Sequence, residues 1–165
     1  MKTYVQRILW GFCLVLGLAS VAAAASPAAP ASDEAAIAQF MNKDMAAAWK
    51  ENSPGKVLEL FSESMPVVWL NDGKKAVVSK AERKKELEAF FNKVKVMDFT
   101  LGDVVVTKIN NKLGFVTCTQ KLLVVDKATK QENELVMRNI YEVVKEKNGK
   151  WHAYREISFV GDAGN

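Results

Sequence analysis

The residues with the most chemical potential in this chain lie near its C-terminal end. Tyr141 and Glu156 flank Asn148-Gly149. That dipeptide tolerates the positive φ of a two-residue type I′ turn and is a strong hairpin signal. With those two residues as the loop, Lys147 faces Lys150, Val143 faces Tyr154, Glu142 faces Arg155, Tyr141 faces Glu156 and Asn139 faces Ser158. Side chains alternate between faces of a strand. One face therefore carries Met137, Asn139, Tyr141, Tyr154, Glu156 and Ser158, and the other carries Arg138, Glu142 and Arg155 with Ile140, Ile157 and Phe159. A carboxylate opposite a phenol in a partly apolar setting can act as general acid or base. It can equally be one end of a structural hydrogen bond.

The preceding strand extends that face. A four-residue loop over 126–129 sets Lys121 opposite Glu134 and Cys118 opposite Met137, so Val116, Cys118, Gln120 and Leu122 join the same lining. Cys118 is a potential nucleophile, but no histidine falls beside it, and a buried structural thiol is the plainer role. Trp69, Tyr141 and Tyr154 are either a stacking platform for a flat ligand or core. The chain has one histidine, His152, and so lacks a His-rich metal set. No cofactor motif is present.

Other elements must hold these residues in place. Apolar residues at helical spacing, Ile37, Phe40, Met41, Met45, Ala48 and Trp49, predict a first helix from Asp33 to Asn52, capped by Ser32 or Asp33. Asp44 lies on the flank of that stripe. Ser53-Pro54 opens a short second helix through Phe61. A strand over 65–70, a turn at 71–73 and a short return strand over 76–79 follow. A third helix is predicted over 80–93, and its Arg83-Lys84-Lys85 run reads as a solvated face. Long strands occupy the rest, the first of them bent at Gly102. Helices grouped before antiparallel strands indicate an α+β fold, with a curved antiparallel sheet wrapped around the long N-terminal helix.

The first 25 residues read as a signal peptide. Lys2 and Arg7 precede an apolar run from Ile8 to Ala19, and Ala22-Ala23-Ala24-Ala25 offers cleavage choices. A Pro/Ala/Ser linker spans 26–32, and a single domain spans 33–162. The expected location is the periplasm or the exterior, with no stable membrane anchor after cleavage. Cleavage lowers the formal charge of +4 by two. Basic and acidic residues are interspersed, which argues against nucleic-acid binding.

Four stretches taken together, AAAWKENSPGKVLELFSES, MPVVWLNDGK, AERKKELEAFF and NIYEVVKEKNGKWHAYREIS, resemble the nuclear-transport-factor-2-like, or SnoaL-like, superfamily. The resemblance implies a cone with a pocket at its open end, and in many members a homodimer through the outer sheet face. It places Met45 and Trp69 where ketosteroid isomerases carry a tyrosine and a base, and Tyr141 where they carry a second aspartate. Methionine and tryptophan cannot accept a substrate proton. Limonene-epoxide-hydrolase-like members use an Asp–Arg–Asp set. Here Glu156 matches one aspartate, while Tyr141 and Asn139 occupy the other two places. Three functions stay open at this point. They are binding of a small apolar or aromatic ligand, SnoaL-like hydrolase, isomerase or dehydratase chemistry using Glu156, and a dimeric interaction module with a filled core.

Overall fold

The computed structural model describes residues 32–72 and 75–160, and only the backbone of Lys75. The signal-peptide reading, and the linker apart from Ser32, fall outside those residues. The first helix begins where its cap dictates: Ser32 Oγ accepts a hydrogen bond from Ala35 N at 3.2 Å. Helix α1 (Asp33–Gln39) runs through a π-helical turn (Phe40–Met45) into α2 (Ala46–Lys50). The wider turn keeps the predicted stripe on one side, and all six of its residues are buried. Asp44 is exposed. The helix stops at Asn52, whose φ of 54° is left-handed. Its side chain then joins the helix end to the sheet, accepting from Val96 N at 2.7 Å and donating to Val96 O at 3.0 Å. At the other end, Asp33 pairs with Lys108 and Lys145, each at 2.8 Å.

Helix α3 (Pro54–Glu59) carries Ser53 as cap and proline in its first turn. Helix α4 (Lys80–Lys93) has the predicted bounds. The strands are β1 (Val68–Asn71), β2 (Lys75–Val77), β3 (Val94–Lys108), β4 (Leu113–Asp126), β5 (Glu132–Lys145) and β6 (Trp151–Val160). They form one six-stranded sheet in the order β2-β1-β6-β5-β4-β3. Of these six strands β1 and β6 alone run parallel, and that pairing sets Trp69 beside Glu156. Strand β3 breaks register between Gly102 and Val105, where Asp103 has a φ of 51°. This is the expected bend.

The β5–β6 register differs from the sequence expectation in two ways that cancel. Glu146 N donates to Lys150 O, and Gly149, at φ 80°, donates to Glu146 O. The loop therefore has three residues and a glycine bulge. This shifts the pairing near the turn, so that Val143 faces Ala153 and Lys145 faces Trp151. A second irregularity between Glu142 and Val143 leaves Tyr154 as an extra residue and restores the predicted pairs beyond it, Glu142 with Arg155 and Tyr141 with Glu156. Between β4 and β5 the four-residue loop is 127–130, and Cys118 faces Asn139 rather than Met137. A shift of two residues preserves which face each side chain occupies.

The loop after α3 is tied to this hairpin by one carboxylate. Glu146 Oε1 accepts from Ser62 Oγ at 2.5 Å and from Ser64 N at 3.3 Å. These bonds, the Ser62 hydroxyl first, pull the Glu146 carboxyl down to about 2 from an ordinary 4.5. A depressed carboxyl contributes stability above its unfolded value and loses it as pH falls through the folded value. The difference in thermal midpoint between wild type and Glu146→Gln will therefore be greatest near neutrality and narrow below about pH 4.5. A constant difference from pH 6 to pH 3 would refute this role.

Candidate functional site

Inside the cone, three strands, β4, β5 and β6, contribute to one buried polar cluster. Asn139 Nδ2 donates to Gln120 Oε1 at 2.7 Å and to Tyr141 Oη at 3.0 Å. The Tyr141 hydroxyl has one proton and two acceptors in reach, Gln120 Oε1 at 2.9 Å and Glu156 Oε1 at 3.3 Å. Ser158 Oγ donates to Glu156 Oε1 at 3.3 Å. Burial first, and the Glu156 charge second, push the Tyr141 phenol well above its ordinary value, so it remains a neutral donor.

Helix α4 supplies the counter-charge. Arg83 is 9% exposed, and its Nη2 lies 3.8 Å from Glu156 Oε2. Its Nη1 donates to Glu86 Oε2 at 3.2 Å, and its guanidinium sits 5.7 Å from the centroid of the Trp69 ring. This corrects the reading of the 83–85 run as wholly solvated. Lys84 and Lys85 are exposed, but Arg83 turns inward. The signal was present in the sequence. Arg83 precedes Leu87 by four residues and Phe91 by eight, which puts it on the buried face of the helix.

Above the cluster a cavity of about 240 Å³ opens. Of the sequence candidates, Gln120, Leu122, Met137, Glu156 and Ser158 line it. Met45, Trp69, Val116, Cys118, Asn139 and Tyr141 are buried but do not line it. Trp49, Asn71, Arg83, Glu86, Leu87, Phe90, Leu135 and Val160 complete the wall. Tyr154 requires a correction. The extra residue in β6 turns it from the cluster, and its hydroxyl donates to Glu142 beside Arg155. The proposed Trp69–Tyr141–Tyr154 platform does not form. Trp69 packs instead on Phe61, with ring centroids 4.8 Å apart.

Among the described residues, four buried polar atoms in this region have no hydrogen-bond partner: Trp69 Nε1, Arg83 Nε, Gln120 Nε2 and Asn139 Oδ1. Two more, Trp151 Nε1 and His152 Nδ1, lie near the other end of β6. No group of three or more His, Cys, Asp and Glu side chains suited to a metal ion occurs among the described residues. Burial, and then the Glu156 charge, push the Cys118 thiol up to about 12. In a Cys13→Ser chain, Cys118 will resist alkylation at pH 8 until denaturant is added. Full labelling of the native protein within minutes would contradict its placement.

No protein-family model and no curated protein matches this sequence. Solved structures do match. A protein from Xanthomonas campestris, named as a calcium/calmodulin dependent protein kinase II association domain, aligns with a TM-score of 0.68 and 19% identity. The match covers 84% of this chain and 95% of that one. A dehydratase-named protein of the NTF2-like family from Streptomyces avermitilis has a TM-score of 0.63 and 12% identity, covering 78% of this chain and 95% of its own. A ketosteroid isomerase-like protein from Erwinia carotovora atroseptica gives 0.61 and 18%, covering 78% and 93%. The fold is the cystatin-like, NTF2-like cone. Proteins with isomerase, dehydratase, hydroxylase and association-domain names share it. At these identities the likeness concerns fold, and function must be argued from the site.

Proposed function

We propose that this protein is an exported, non-catalytic binding domain that holds a small apolar or aromatic molecule in the mouth of the NTF2-like cone. The observation that carries this reading is the cavity of about 240 Å³ with an apolar wall and a polar floor. Glu156 Oε1 has the hydroxyls of Tyr141 and Ser158 within reach, each at 3.3 Å, and its Oε2 faces Arg83. A carboxylate so engaged suits recognition better than proton transfer. Met45 and Trp69, at the positions where an isomerase carries its tyrosine and base, offer no proton acceptor.

A second copy of the chain is the proposed partner. The outer sheet face carries a continuous row, Val105, Thr117, Ile140, Ile157 and Leu70, set side by side by strand register. Phe159, on the same face, is 46% exposed. The row is apolar apart from one threonine, which favours burial against a like surface.

Native mass spectrometry of the protein exported by its own host tests both statements. The expected spectrum shows a dimer carrying a small molecule that is released unaltered. The variant Glu156→Gln should weaken retention without changing the molecule. A retained species that wild type converts and Glu156→Gln leaves unconverted would overturn the non-catalytic reading.

A further inference from the structure

The charges around the cavity do not balance. Among the described residues on its wall, Arg83 is the one cation, and it faces two carboxylates, Glu86 and Glu156. One negative charge is left over, beside a wall that includes Trp49, Phe90, Leu122 and Met137. The leftover charge falls on Glu86, whose side chain is 35% exposed, and it favours a cationic over an anionic occupant. Aromatic faces at the same wall also attract organic cations. The second observation is independent. Gln120 is buried, it lines the cavity, and its Nε2 donor has no partner. A ligand oxygen would satisfy it.

Building on the binding function above, we propose that the ligand is a small organic ammonium compound with an apolar body and one neutral oxygen acceptor. The ammonium group lies against Glu86 and Glu156, and the oxygen accepts from Gln120 Nε2. The cavity is smaller than the roughly 300–1,000 Å³ of sites for drug-sized molecules, so the occupant is fragment-sized. Carboxylates of the same shape are rejected by the surplus negative charge.

Calorimetric titration with four probes of similar size tests this: 2-amino-1-phenylethanol, 2-phenylethylamine, 2-phenylethanol and mandelate. The amino alcohol should bind tightest and the amine next. The alcohol should bind about tenfold more weakly than the amino alcohol, the loss of one charge-assisted contact. Mandelate should not bind. Glu86→Gln should remove the tenfold advantage and leave 2-phenylethanol unchanged. Leu135→Trp, which narrows the mouth, should abolish binding of all probes. If 2-phenylethanol or mandelate matches the amino alcohol, the ammonium inference fails while the binding reading stands. If probes bind Leu135→Trp as well as wild type, or none binds at millimolar concentration, the inference also fails. The native mass experiment then decides the broader reading separately.

Discussion

Replacing Trp69 with alanine will lower the unfolding free energy by about 3–5 kcal/mol, the cost usual for deleting a fully buried large aromatic side chain. Trp69 has no exposed surface. It sits on β1 between Val77 of β2 and Glu156 of β6, so it lies where two strand pairings meet. Its ring packs on Phe61 and lies under the Arg83 guanidinium. Alanine would leave a void that a sheet held on both edges cannot close, and it would take away the surface on which Arg83 rests. Trp69→Phe restores much of the volume and should cost less than half as much. Urea denaturation of the three proteins measures the series. A loss below about 1 kcal/mol for Trp69→Ala would show that the ring does not carry the junction.

The second large effect concerns the buried charges. Arg83→Met will destabilise by about 2–3 kcal/mol, because Glu156, 4% exposed, would lose the cation facing its second oxygen. That figure lies at or just below the roughly 3–5 kcal/mol of broken buried pairs, since the separation is 3.8 Å. Adding Glu156→Gln should return a substantial part of that loss, because a neutral amide needs no counter-charge. The two single changes and the double form a cycle, and a coupling of about 1 kcal/mol or more is expected. Strict additivity would mean that Arg83 contributes by packing on Trp69 and not by charge. Arg83→Lys should also fall short of wild type, because a single ammonium cannot span Glu86 and Glu156 as the planar guanidinium does.

Arg83 also shows where reading the chain in one dimension falls short. In sequence it belongs to a run of three basic residues, and such runs usually face water. The helical spacing to Leu87 and Phe91 favoured burial, but only the docking of α4 over the inner side of the sheet explains why a charge is tolerated there. That packing supplies Glu156 from β6 and the Trp69 ring from β1, both distant in sequence. The cavity wall was hidden for the same reason. Trp49, Glu86, Phe90, Leu135 and Val160 come from two helices and two strands, and nothing local says that they meet.

The β5–β6 hairpin divides the two kinds of information clearly. Alternation of apolar and polar residues along each strand sufficed to place Tyr141 and Glu156 on one face and Glu142 and Arg155 on the other. Such alternation is a local property with a period of two, and burying the wrong set is costly. The turn was read as two residues, but it is a three-residue loop, and a bulge at Tyr154 compensates for it. Loop size and bulge are settled by the twist of the sheet and by the docking of Leu60 and Ser62 on Ala153, so Tyr154 left the predicted lining. The amino-acid sequence by itself determined the helices, the strands, their faces outside residues 151–154 and the α+β architecture, because caps and periodicity act over a few residues. The tertiary structure alone decided which side chains converge on Glu156 and how much space remains above it. Charge pairing and cavity shape depend on elements brought together from across the chain.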